Sequence, residues 1–186
     1  MNIGFAMCGS FCTYSQVFPI MEVLSRDHSI IPIFSNAAFT VSSRFGSAAD
    51  HIETAADLCG ELPLHTIPQA EPIGPKKMFD ILIIAPCTGN TLAKLAHGIA
   101  DTPVTMAAKS HLRNDRPVLI AISTNDGLAG AAENIGKLLN RKHCFFVPFR
   151  QDDPAEKPNS IVADFSMIPR AMEHALCGSQ VQPILI

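Results

Sequence analysis

The sequence predicts an α/β protein: a three-layer αβα sandwich on a doubly wound, mostly parallel sheet of the Rossmann-like or flavodoxin-like kind. Three observations predict it. Short, continuous apolar runs recur along the chain, as in strands buried on both faces. Segments with helical apolar spacing lie between them, as βαβ units require. The runs at residues 2–7, 30–34 and 81–84 are each followed by small, hydroxyl-bearing residues that suit a helix start.

Taken in order, residues 2–7 form the first strand, which begins without the basic lead of a secretory signal. Residues 14–25 read as a helix with Val17, Ile20, Met21 and Leu24 among its apolar positions. The second strand covers 30–34, and helices follow within 37–45 and over 47–58. A loop rich in proline and glycine, about 60–79, precedes the third strand at 81–84. Short apolar runs predict further strands at 104–106, 118–122 and 145–147. Helices are expected at 130–139 and 161–175, with a second loop insertion at 150–160. The length of 186 residues fits one domain, read as residues 1–186 with a flap at about 150–160.

Composition narrows the function. An apolar fraction of 47% fills a core, yet no apolar stretch of about 18 residues predicts a membrane span. The net charge is −3 and the basic residues are dispersed, which speaks against nucleic-acid binding. Six cysteines stand mostly in or beside apolar runs and, without a signal peptide, read as reduced, structural thiols of a cytoplasmic protein. Cys8 and Cys12 have loose metal-like spacing but no second Cys/His pair, so no metal is expected.

In a parallel sheet, the segments that follow the strands gather along one edge, where ligands bind. Gly9-Ser10-Phe11 follows the first strand, Ser35 the second, and Ala85-Pro86-Cys87-Thr88-Gly89-Asn90-Thr91 the third. Pro86 ends the strand hydrogen bonding, and Thr88, Asn90 and Thr91 suit a helix start. Each of Ser10, Ser35 and Thr88 alone reads more readily as an ordinary cap, but their joint placement favours a phosphate surrounded by neutral donors and helix dipoles. A fourth segment, Ser123-Thr124-Asn125-Asp126-Gly127, reads as a capped turn or places the Asn125 amide in a pocket.

These segments resemble a flavoprotein family that includes the homo-oligomeric flavin-containing cysteine decarboxylases. In that family a Pro-Ala-Ser-Ala-Asn-Thr motif contacts FMN. Its counterpart here is Pro86-Cys87-Thr88-Gly89-Asn90-Thr91, with Pro86, Asn90 and Thr91 identical and Thr88 in place of serine. A second motif, Pro-x-Met-Asn-x-x-Met, is similar to Ile122-Ser123-Thr124-Asn125-Asp126-Gly127-Leu128, in which only the asparagine is kept. Segments such as Arg44-Phe45-Gly46 and Arg113-Asn114-Asp115-Arg116-Pro117 extend the likeness over nearly the whole chain to one branch of the family. There the flavoprotein works beside a separate A subunit of nicotinamide-binding appearance and oxidises a small dicarboxylate. The resemblance implies an FMN-binding subunit contacting the flavin through Gly9, Ser10, Phe11, Ser35, Ala85, Pro86, Thr88, Asn90, Thr91, Ser123, Thr124 and Asn125. NADP would enter through the partner. It also implies trimers, which can combine into dodecamers.

The reactive flap cysteine of the decarboxylases is missing from residues 151–160, which argues against decarboxylation of a cysteine peptide. A dicarboxylate needs cations, and Arg44, Arg150 and Lys157 stand in loops expected at the ligand edge, although each taken singly reads more readily as a surface charge. Lys109, His111 and Arg113 follow the expected strand at 104–106. Asn125 is the candidate catalytic residue. No histidine among His51, His65, His97, His111 and His143 stands out as a base. Three functions remain open: a redox subunit that works with a partner, a stand-alone flavin-dependent decarboxylase or prenyltransferase-like enzyme, and a non-catalytic scaffold.

Overall fold

The computed structural model describes residues 1–186. The sheet begins with β1 (Asn2–Met7), β2 (Ser29–Phe34), β3 (Ile81–Cys87), β4 (Val118–Thr124) and β5 (Cys144–Phe146). These five run parallel in the order β2-β1-β3-β4-β5. All seven residues of β3 are buried, which is why its sequence shows no alternation. The three-layer α/β reading therefore holds. Helices α1 (Tyr14–Ser25), α2 (Asn36–Thr40), α3 (Ala48–Cys59), α4 (Ile67–Ala70), α5 (Gly89–His97), α6 (Pro103–Leu112), α7 (Ala132–Leu139) and α8 (Ile168–Leu176) cover the sheet. A continuous cluster of 48 buried apolar residues joins the layers.

The helix ends follow local chemistry. Ser47 and Asp50 close a capping box on α3, and Thr102 and Thr105 do the same on α6. Thr88 caps α5, its hydroxyl accepting from the Thr91 amide at 3.4 Å. Helix α5 stops at Gly98, whose φ of 72° is the left-handed end that glycine permits.

Three expected elements are corrected. Residues 104–106 are not a strand but the first turns of α6. Pro103 follows the Thr102 cap, and a three-residue apolar run cannot by itself separate a strand from a buried helix. The helix expected over 161–175 is divided: β7 (Lys157–Ala163) comes first, Asp164 caps a 3-10 turn, and α8 starts at Ile168 with Pro169 in its first turn. The 150–160 insertion is a hairpin in which β6 (Phe149–Asp153) pairs antiparallel with β7, and β7 pairs antiparallel with the end of β4. The earlier loop also holds structure, α4 being closed by a Thr66–Gln69 capping box.

The fork after β4 positions the site. Its first residues, Val118 to Ile120, pair with β5, whereas Ser123 and Thr124 pair with β7. The hairpin thus rises from the carboxyl edge of the sheet. The strand order also reverses between β1 and β3, and this switch point opens onto the same edge.

His111 is a folding determinant and not an edge residue. It lies buried on α6, its Nε2 3.1 Å from the Pro117 carbonyl, and burial lowers its pKa to about 4. A depressed folded-state pKa stabilises the protein above the unfolded value near 6.5, and this stability is lost as pH falls towards 4. Denaturant unfolding should show a loss approaching about 3 kcal/mol over that window. His111→Gln should flatten the dependence, and an unchanged pH profile in that variant would contradict the assignment.

Candidate active site at the carboxyl edge of the sheet

A cavity of about 830 Å³ lies between the turns after β1, β3 and β4 and the β6–β7 hairpin. The first wall is the turn Gly9–Thr13, anchored underneath by the Cys8 amide donating to the Pro86 carbonyl at 3.2 Å. The second is the start of α5 at Thr88 and Gly89, and the third is Ser123–Asp126. Ser10 and Ser123 tie the first and third together through hydroxyls 2.7 Å apart. Arg44 and Phe45 form one rim, and Arg150, Asp152 and Lys157 of the hairpin form the opposite one.

The floor is inert. Burial pushes the Cys8 thiol up to about 11 and raises Cys87 well above its ordinary value, so both stay protonated at neutral pH. Thr91 is also committed there, donating its hydroxyl to Cys8 Sγ at 3.3 Å. Tyr14 donates to the Cys8 carbonyl at 2.9 Å. All six cysteines are free thiols, and Cys12 lies exposed in the cavity wall.

Above this floor the backbone presents donors. The amides of Gly9, Phe11, Cys12 and Gly89 line the cavity and have no acceptor within the chain. At Gly89 this follows from its place at the first position of a helix; the other three belong to the tight turn after β1. Amides converging with a helix N-terminus form an anion cradle.

The charged rim is sorted by pairing. Lys157 donates to Asp152 Oδ2 at 3.1 Å, and that carboxylate raises the lysine pKa above its ordinary value. Arg150 has no ionic partner, and the Arg44 guanidinium sits over the Phe45 ring, 4.8 Å from its centroid. The rim therefore offers two guanidiniums free of carboxylates and one neutralised lysine.

Of the residues singled out in the sequence, Gly9, Ser10, Phe11, Thr88, Ser123, Thr124, Asn125, Arg44, Arg150 and Lys157 meet in this cavity. Ser35, Ala85, Pro86, Asn90 and Thr91 are not among its lining residues. Ser35 is buried, and its hydroxyl accepts from the Ala38 amide at 3.2 Å. Ala85 and Pro86 lie within buried β3. None of the five histidines lines the cavity, and His51 packs beneath the site against Phe11 and Tyr14. Lys109 and Arg113 face a separate cavity, because residues 104–106 are helical.

Sequence reasoning missed Asp126 as a wall residue. Its Oδ1 accepts the Thr124 hydroxyl at 2.5 Å, and together they fill the space beside Gly89. A Cβ on Gly89 would stand 2.6 Å from Thr124 Oγ1 and 3.0 Å from Asp126 Oδ1. One on Gly127 would collide with Ile161 Cγ1, so this glycine lets the hairpin close on the β4 turn. The available signal was the departure from the family motifs, with glycine replacing alanine at 89 where threonine replaces methionine at 124.

Comparison with known proteins agrees with this architecture. The model of the family described as Flavoprotein matches residues 1–164, and the chain belongs to that family. The dipicolinate synthase B subunit of Bacillus subtilis is 44% identical over 186 residues, covering 100% of this chain and 93% of that protein. The crystal structure of the dipicolinate synthase B subunit from Bacillus halodurans superposes with a TM-score of 0.91 at 41% identity, covering 100% of this chain and 95% of that one. A dodecameric FMN-dependent Ubix-like decarboxylase from Escherichia coli O157:H7 shares the fold, with a TM-score of 0.61 at 22% identity over 75% of each chain.

The contact at Gly89 predicts a coupled pair. Gly89→Ala should lower stability by about 1–3 kcal/mol through overpacking, and adding Thr124→Ala should restore much of it. Thermal unfolding of the two variants checks this; a Gly89→Ala protein as stable as its parent would refute it.

Proposed function

We propose that this chain is the FMN-binding B subunit of a dipicolinate synthase, working with the A subunit of that enzyme to oxidise dihydrodipicolinate to dipicolinate. The observation that carries the reading is the anion cradle at the sheet switch point, in a chain 44% identical over its full length to a B subunit. The cavity volume falls in the range of cofactor sites. The unpartnered amides of Gly9, Phe11, Cys12 and Gly89 fit a phosphate, assisted by the hydroxyls of Ser10 and Thr88. Ser35 supports the cradle indirectly, by capping α2.

When bound, FMN would supply the acceptor for the single hydride released, NADP on the A subunit being the alternative acceptor. This chain's own residues bind, orient and shield. Arg44 and Arg150, free of carboxylate partners, would hold the two substrate carboxylates, and Asn125 would stand near the reacting ring. Lys157 contributes less because Asp152 already neutralises it. The proton released on aromatisation meets carboxylates, Asp126, Asp152 and Asp164, since no imidazole lines the walls. The β6–β7 hairpin acts as the flap of a single flavoprotein domain. A stand-alone decarboxylase has less support, since the hairpin carries no cysteine and Cys12 comes from the opposite wall.

Assembly follows the same reading: a trimer or a multiple of three, in the cytoplasm of the mother cell of a sporulating bacterium. No helix is long and apolar enough to cross a membrane. Phe45 at the cavity rim is 46% exposed and Leu128 beyond the β4 turn 52%, which suits a site completed by a neighbouring copy. A concentration-independent monomer mass in light scattering would refute the oligomer.

The direct test is anaerobic mixing of the FMN-loaded protein with dihydrodipicolinate, with and without the A subunit. Loss of the flavin absorbance together with dipicolinate formation is expected in the complete mixture; an A subunit fully active without this chain would refute the proposal. Arg44→Ala or Arg150→Ala should lower the rate about a hundredfold, and Lys157→Ala less than about tenfold. FMN content should stay unchanged in all three. Ser10→Ala with Thr88→Ala should weaken FMN binding about thirtyfold, at about 1 kcal/mol per hydroxyl, and Ser35→Ala should weaken it less.

A further inference from the structure

The 14 lysines and arginines divide sharply by pairing. Arg26, Lys94, Arg116, Lys137, Lys142 and Lys157 each have a carboxylate within 4 Å. Of the eight without one, Arg44 and Arg150 face the cavity described above. Three more, Lys109, Arg113 and Arg141, line a second cavity of about 350 Å³ whose lining contains no acidic residue.

This second cavity lies at the carboxyl end of α5, whereas the first lies at its start. The helix is nine residues long, about 14 Å along its axis. Its apolar wall is formed by Leu95, Ile99 and Leu112. Arg141 is held in place, its Nη1 donating to the Leu95 carbonyl at 3.0 Å, with its remaining N–H groups available. Lys109 and Arg113 stand four residues apart at the end of α6, a like-charge spacing that costs stability in isolation. The helix C-termini offset part of that cost, but three convergent cations exceed what two helix ends require. The neighbouring carboxylates pair with other lysines: Asp101 with Lys94 at 2.8 Å, and Asp115 with Lys142 at 3.9 Å.

We infer that this cavity is a second anion site, for a small organic dianion or trianion whose carboxylate or phosphate groups meet Lys109, Arg113 and Arg141 and whose apolar body rests on Leu95, Ile99 and Leu112. The volume admits a compact metabolite and not a dinucleotide. Its chemistry matches that of the substrate class proposed for the first cavity, but the two sites share no lining residue.

The test is site-resolved NMR on isotope-labelled protein, with the Nε–H signals of Arg113 and Arg141 followed during separate titrations with inorganic pyrophosphate and pyridine-2,6-dicarboxylate. At least one probe should shift both signals saturably below about 1 mM, and the effect should weaken as salt is raised. Movement with pyrophosphate alone would identify phosphate as the ligand group, and movement with the pyridine dicarboxylate alone would identify carboxylate. The exposed pair Lys109→Ala and Arg113→Ala has no partner to lose, so the fold should persist, and the Arg141 signal should then need at least tenfold more probe. Arg44→Ala with Arg150→Ala, which empties the first rim of guanidinium, should leave the titration unchanged. Signals unmoved by both probes, or an Arg141 response unaltered by removing Lys109 and Arg113, would overturn the inference.

Discussion

A parallel sheet whose order reverses between β1 and β3 parts its carboxyl edge there, and the two turns that follow must point their first amides into the gap. The site depends on that constraint. Gly9, Phe11, Cys12 and Gly89 have donors that nothing in the chain accepts, and amides left unpaired are tolerated only where solvent or a ligand reaches them. The surrounding structure holds the two turns in register. The Cys8 amide binds the Pro86 carbonyl, Ser10 meets Ser123, and buried thiols with Tyr14 form a floor without ionised groups. An anion in this cradle would face neutral donors and a helix start, with the cavity's one lysine, Lys157, already paired to Asp152.

The charge arrangement separates binding from chemistry. Opposite-charge pairing takes Lys157 out of use and leaves Arg44 and Arg150 as the cations that a dicarboxylate would find. Both stand on segments whose placement depends on packing at a distance. The hairpin seats against the β4 turn only because Gly127 admits Ile161, and the Arg44–Phe45 rim rests on His51, whose Nε2 lies 3.3 Å from the Phe45 carbonyl. Helix α5 links this edge to the cationic cavity at its other end, so one element has a cavity at its start and another at its finish.

The strands and most helices were legible because their signals are local: continuous apolar runs, helical spacing, and a hydroxyl at each cap. Val104 to Met106 misled because three apolar residues have no period of their own, and the deciding features were the Thr102 cap and Pro103. The hairpin at 149–163 was hidden because its exposed arm reads as a polar loop and the strand that ties it to the sheet pairs with residues distant in sequence, Ser123 and Thr124. Within the site, the turn residues were legible from composition and family resemblance. Asp126 was not, since its role arises from the space beside Gly89, which no sequence window contains. Ser35 and Asn90 show the converse: both follow a strand as the pattern demands, yet a helix cap commits Ser35, and neither lines the cavity.

The central claim is that the turns after β1 and β3 together receive the flavin phosphate. Hydrogen–deuterium exchange of the apo-protein with and without FMN tests it most directly, because those amides have no internal partner and should exchange fast until an acceptor arrives. The account predicts that FMN slows exchange in segments 9–12 and 88–90 by at least about tenfold while segments at the opposite edge, around 109–113, stay unchanged. Unaltered exchange in both turns at saturating FMN would contradict it.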